Sequence, residues 1–206
     1  MLRGGILLAQ TCTAYKILVI NDIHLALDID QTIMPGPGGE TNQRLLEVML
    51  EKSTQDHSSG IDLILSPGDF IQHGLSVSTG STPQWSTMLD TFEEVKTIIE
   101  AYYPSTVVLP SIGNNDGEYH NEAAELNSST YDDLYSIWFS SLLPADTPFK
   151  TGGYYVYDVS SDLMVIALNG MYPYKKNTSY KTDGCTAMFD WLEDLLAANP
   201  SKKFII

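Results

Sequence analysis

Three short stretches of this 206-residue chain carry side chains able to hold a metal ion or move a proton. In "VINDIHL", Asp22 and His24 stand two positions apart, which lets a carboxylate and an imidazole point the same way from an extended segment. Asp69 and His73 lie in "PGDFIQHG", and Asn114, Asn115, Asp116, His120 and Asn121 crowd "GNNDGEYHN". His24, His73 and His120 are three of the four histidines; the fourth, His57 in "QDHSSG", reads as surface. Singly, each stretch is ordinary, because an Asp after a Gly is usually a turn residue. Together they offer oxygen and imidazole donors without thiolates, a set that suits zinc, manganese or iron in a hydrolytic site. A carboxylate shared by two such ions holds them about 3.5–4 Å apart, so that both can grip a phosphoryl group. Asp69, on the middle stretch, is placed to be that bridge.

The elements that must position these residues alternate between strand and helix. Tyr15–Ile20, Ile61–Ser66 and Ser105–Gly113 read as buried strands, each ending where one polar stretch begins. "MPGPGGE" (Met34–Glu40) is a loop, and Thr41 can cap a helix running through Leu45, Leu46, Val48 and Met49. Trp85, Met88, Leu89, Phe92, Val95 and Ile99 recur at helical spacing, a stripe that packs against a sheet. Tyr131–Leu143 reads as a further helix, and Gly153–Asp158 with Leu163–Asn169 as an antiparallel hairpin. Cys185–Asn199 is a helix closed by Pro200, and "KKFII" opens another strand. The order describes one α/β unit, parallel strands first and a hairpin later. In open α/β sheets ligands gather beyond the carboxyl ends of the strands, where all three polar stretches fall. The chain stops at Ile206, inside the last strand, the pattern of a fragment.

Hydrophobic content of 43% and charged content of 18% are those of a folded globular chain. Asp and Glu number 26 against 11 Lys and Arg, a formal charge of −15. That balance, with no basic run interleaved with aromatics, argues against a nucleic-acid partner and against anionic membrane surfaces. No stretch approaches the roughly 20 apolar residues of a transmembrane helix. The N-terminus, "MLRGGILLAQTCTA" (residues 1–14), is compatible with a signal peptide cleaved after Ala14, and equally with a plain extension. The sequons at Asn127 ("NSS") and Asn177 ("NTS") fit a glycoprotein that is secreted or held in a lysosomal or vacuolar lumen. Asn177, in the polar segment "YKKNTSYKTDG", is expected to be exposed. Loss of Cys12 with a signal peptide leaves Cys185 unpaired, so no disulfide framework is argued.

D-x-H at Asp22 and His24, G-D-x-x-x-x-G from Gly68 to Gly74 and G-N-N-D from Gly113 to Asp116, in that order, resemble the signature of calcineurin-like metallophosphoesterases. "GDFIQH", "GGYYVYDV", "MVIALNGMYPYKKN" and "WLEDLLAA…KKFII" are similar to the acid sphingomyelinase-like phosphodiesterases and the related vacuolar endopolyphosphatases, over nearly all the chain after Ala14. The resemblance implies a four-layer α/β/β/α sandwich with two mixed sheets over residues 15–206, incomplete at the C-terminus. It implies two divalent metal ions, zinc first, with manganese or iron as alternatives. Asp22 and His24 would hold the first ion, Asp69 would bridge, and Asn114 would belong to the second. The implied reaction is hydrolysis of phosphodiesters or phosphomonoesters by water that the two ions activate. A polyphosphate substrate is the variant that the charge of −15 disfavours. His73 and Asn169 lie in matching segments and are expected against the substrate or behind the ligands. Three further histidines, which the family carries in GH-x-P and GH-x-H segments, are absent from these residues. A non-catalytic remnant therefore stands as the competing reading. Many members carry His after the Gly-Asn, where this chain has Asn115. Two roles stay open: His120 as proton donor, or Asn115 orienting the phosphate with protonation left to water.

Overall fold

The structure is a computed structural model that describes residues 14–35, 39–178 and 181–206. The expected signal peptide, apart from Ala14, lies outside the described residues. Three short strands, β1 (Ile17–Val19), β2 (Leu63–Ser66) and β3 (Val107–Pro110), pair in parallel in the order β1-β2-β3. A parallel pair needs a crossover, and α1 (Gln43–Asp56) and α2 (Trp85–Tyr102) supply the two. Central β2 buries the adjacent Leu63 and Ile64, and Ser66 beyond the half-buried Leu65, as a strand covered on both faces must. The apolar stripe expected on α2 is buried at Met88, Phe92, Val95 and Ile99.

Two helix ends differ from the sequence expectation for a visible reason, and the helix expected from Cys185 begins at Lys181. The N-cap of α1 is Asn42, whose side chain accepts from Leu45 N–H at 2.9 Å, and not Thr41. Thr41 is held in extended pairing instead: its N–H donates to His24 O (3.1 Å) and its carbonyl accepts from Ala26 N–H (2.8 Å). The helix expected to reach Leu143 is α3 (Ser129–Trp138), capped by Ser128. Beyond Trp138 the chain turns, so that Phe139 and Leu143 enter the core.

The second half follows α4 (Phe149–Gly152) with the antiparallel pair β4 (Tyr155–Asp158) and β5 (Leu163–Ala167). Helix α5 (Lys181–Ala198) then returns the chain as β6 (Lys203–Ile205), parallel to β5. The expected hairpin is present, and this second sheet is mixed. In the first, the described strands all run parallel.

The two sheets share one core. Tyr155 and Val165 of the second sheet cluster with Leu63, Ile64 and Leu109 of the first, together with Leu46 and Leu50 of α1 and Phe92 and Ile99 of α2. The Tyr155 hydroxyl ties the sheets directly by donating to Pro110 O at 2.8 Å. A smaller cluster joins Met188 of α5 to Tyr154, Met171 and Tyr172. Helix α5 can come this close because residue 184 is Gly, where a Cβ would meet the Tyr172 ring at 2.0 Å. The result is helices, sheet, sheet, helix, with three loops leaving the carboxyl ends of β1, β2 and β3 at one edge.

Candidate metal centre

Loops one and two run side by side. Asp22 N–H donates to Gly68 O (3.2 Å), His24 N–H to Asp69 O (3.0 Å) and Leu25 N–H to Phe70 O (2.8 Å). Within this ladder Asp22, His24 and Asp69 all take left-handed backbone, with φ of 51°, 46° and 58°. Such a conformation in a residue with a side chain costs roughly 1–3 kcal/mol, and it persists where surrounding bonds over-determine it. Here it turns all three side chains to one place.

His24 Nδ1 lies 2.9 Å from Ile71 O, a contact that requires Nδ1 to carry the proton and leaves Nε2 with its lone pair free. Nε2 is 3.9 Å from Asp22 Oδ1 and 3.9 Å from Asp69 Oδ2. One ligand atom from each of the three residues lies within 4.8 Å of the others. Ligands about 2.1 Å from a shared ion can stand up to about 4.2 Å apart, a limit that both 3.9 Å contacts of His24 Nε2 meet. Asp22 is largely exposed while His24 and Asp69 are mostly covered, which leaves an open side for substrate. Asp69 divides its carboxylate: Oδ2 faces His24 and Oδ1 accepts from Asn115 N–H at 3.0 Å.

Loop three is tied in by Asp116, which is buried. Its Oδ2 accepts from the N–H groups of Asp69 (2.7 Å) and Gly113 (2.8 Å), and its Oδ1 from those of Phe70 (2.8 Å) and Ile71 (3.3 Å). Burial pushes this carboxyl up to about 6, with the charge of Asp69 adding to the shift and the N–H groups opposing it. The loops touch backbone to backbone at two glycines. A Cβ on Gly68 (φ 105°) would meet Gly113 N at 2.4 Å, and one on Gly113 would meet Asp69 Oδ1 at 2.3 Å.

The remaining candidates divide. His73 is brought in, its ring stacked on His24 with centroids 4.2 Å apart and its Nδ1 2.8 Å from Glu40 Oε1. Asn114 stands on loop three, its carbonyl accepting from Asn121 N–H at 3.0 Å. Asn115 is buried, and what it gives the site is its backbone N–H. His120 donates its backbone N–H to Val77 O (2.9 Å) and joins neither group of ligand-type side chains. Asn169, expected against the substrate or behind the ligands, lies within the packing of the second half. It is buried with both ends engaged: Nδ2 donates to Gly152 O (3.0 Å) and the Tyr131 hydroxyl (3.2 Å), and Oδ1 accepts from Met171 N–H (3.1 Å). Asn177, expected to be exposed, is also buried, its amide bonded to Ala123 N–H and Tyr172 O at 3.3 Å each. Asn127 is exposed.

Two contributors carry no local sign of their role. Asp116 ends G-N-N-D, but nothing local says that it reaches loop two. Glu40 ends a Gly-Pro loop, and no signal in its neighbourhood points to His73.

The calcineurin-like phosphoesterase (Metallophos) family model matches residues 15–206. The chain belongs to this family. It is 32% identical over 166 residues to sphingomyelinase phosphodiesterase D of Dictyostelium discoideum, covering 78% of this chain and 35% of that protein. To the endopolyphosphatase of Schizosaccharomyces pombe it is 34% identical over 161 residues, 74% of this chain and 27% of that one. To the cyclic GMP-AMP phosphodiesterase SMPDL3A of Bos taurus it is 28% identical over 188 residues, 84% and 40% of the two chains. The chain thus spans well under half the length of these relatives. A solved structure, purple acid phosphatase PPD1 from yellow lupin seeds, aligns over 92% of this chain and 29% of that one at 12% identity and a TM-score of 0.48, too loose a likeness to carry an argument. Family membership and the ligand groups support divalent metal binding. Among the described residues no helix is long and apolar enough to cross a membrane.

Proposed function

We propose that this chain forms the metal-binding edge of a phosphoric ester hydrolase acting on phosphodiesters or phosphomonoesters. The observation that carries the reading is the convergence of Asp22, His24 and Asp69, with His24 Nε2 bare and 3.9 Å from a carboxylate oxygen on either side. Divalent ions, when bound, polarise a phosphoryl oxygen and make water acidic enough to attack at neutral pH. The residues do the rest. Asp22, His24 and Asp69 would hold the first ion; Asp69, with Asn114 of loop three, would serve a second. Zinc is the ion best matched to an imidazole and two carboxylates, with manganese and iron behind it. The backbone N–H of Asn115 fixes the Asp69 carboxylate, and His120 is the candidate proton donor on the leaving-group side. Relatives bearing phosphodiesterase and endopolyphosphatase names leave the substrate open between a small phosphate ester and polyphosphate. The charge of −15 favours the former. An exposed Asn127 supports a secreted, lysosomal or vacuolar setting.

The test begins with metal retained after gel filtration of the 206-residue chain in micromolar zinc or manganese. Three protein ligands at one position and two at the other predict one equivalent, absent in Asp69→Asn. A wild-type chain that retains no ion sinks the reading. Where turnover is measured, release from a choline phosphodiester against release from long-chain polyphosphate separates the two substrate classes.

A further inference from the structure

Glu40 stands 33 positions from His73 in sequence, yet its Oε1 lies 2.8 Å from His73 Nδ1. Its other oxygen, Oε2, is buried with no hydrogen-bond partner. His73 in turn stacks on His24, with the ring planes 22° apart. His24, Glu40 and His73 also bring ligand atoms within 4.8 Å of one another, which raises the question of a separate metal site. Ring geometry answers it. An imidazole lone pair lies in the plane of its ring, so two stacked rings send theirs along near-parallel planes and do not converge on one ion. Nδ1 of His24 is, besides, committed to Ile71 O.

The arrangement is therefore a support. The His73 side chain is 63% exposed, and a ring that free holds no fixed position by packing alone. The Glu40 carboxylate fixes it, and the fixed ring closes the face of His24 that Ile71 O does not control.

We propose that Glu40 is a positioning residue of the metal centre: through His73 it holds the His24 ring in the orientation that presents Nε2 to the ion. The inference rests on the metal-binding reading above. Loop residues 39–41 are placed for this by the pairing of Thr41 with His24 and Ala26.

The experiment is Co²⁺ titration of the full 206-residue chain, following the visible bands of the bound ion, alongside urea unfolding of the metal-free proteins. Glu40→Ala is expected to raise the dissociation constant for Co²⁺ about 10–100-fold and to alter the band pattern. Its urea midpoint should match that of the wild type, because the side chain supports the site and not the core. Glu40→Gln should recover most of the affinity, since its amide oxygen still accepts from His73 Nδ1–H. Equal affinity and an identical spectrum in Glu40→Ala would overturn the inference, as would a folded Glu40→Gln no better than Ala. If Glu40→Ala does not fold, the Gln variant decides. A wild-type chain that takes up no Co²⁺ removes the metal-binding reading, and the inference with it. Uptake by wild type and Ala alike removes the inference alone.

Discussion

Replacing Asp116 with Asn should strike the whole site through the backbone. Each carboxylate oxygen of Asp116 serves two backbone N–H groups: the part-buried Asp69 and Gly113 on Oδ2, the buried Phe70 and Ile71 on Oδ1. An amide keeps one acceptor and turns the other into a donor. Whichever way it rotates, two N–H groups shielded from solvent at least in part face an NH₂. A buried donor left without an acceptor costs about 1–3 kcal/mol, so Asp116→Asn should lose about 2–6 kcal/mol. That is a large part of the roughly 5–15 kcal/mol that holds a domain folded. The assay is urea unfolding of the metal-free chain near neutral pH, followed by the fluorescence of Trp85, Trp138 and Trp191. With a slope of about 2 kcal/mol per molar urea, the midpoint should fall by about 1–3 M. A fall smaller than about 0.5 M would mean that loops two and three are joined by something other than this carboxylate.

Further outcomes follow from the same contacts. Gly113→Ala drives a Cβ to 2.3 Å from Asp69 Oδ1 and should abolish metal retention, whereas Gly170→Ala, with nothing within 4 Å of its Cβ, should leave it unchanged; the ratio of bound ion in the two variants checks this. In a eukaryotic secretory host, Asn127→Gln should remove any glycosidase-sensitive mobility shift and Asn177→Gln should not, because the Asn177 amide is buried; a shift lost on changing Asn177 would contradict the packing described. Tyr155→Phe removes the hydroxyl tie between the sheets and leaves Pro110 O without that donor, for a loss of about 1–3 kcal/mol in urea unfolding. If His120 donates the proton, His120→Ala should slow esters with poor leaving groups far more than activated aryl phosphates in a chain that turns over; equal slowing would remove that role.

Much of this protein is legible from its residues alone. Local periodicity marks β2 as a strand buried on both faces and α2 as an amphipathic crossover, because the burial of "LILS" and of the Met88–Ile99 stripe is a property of adjacent residues. Alternation of strand and crossover helix then puts the ends of β1, β2 and β3 at one edge, which groups Asp22, His24 and Asp69 from the sequence alone. Tertiary structure alone decided what depends on distant partners. The left-handed backbone of Asp22, His24 and Asp69 exists because loops one and two bond to each other, and no local preference demands it. Glu40 reaches His73, and Asp116 reaches three successive N–H groups of loop two, across separations that carry no periodic signal. Asn169 and Asn177 read as polar and available, yet the fold buries both, because an amide can meet a backbone's leftover donors and acceptors inside a core as well as it can meet water.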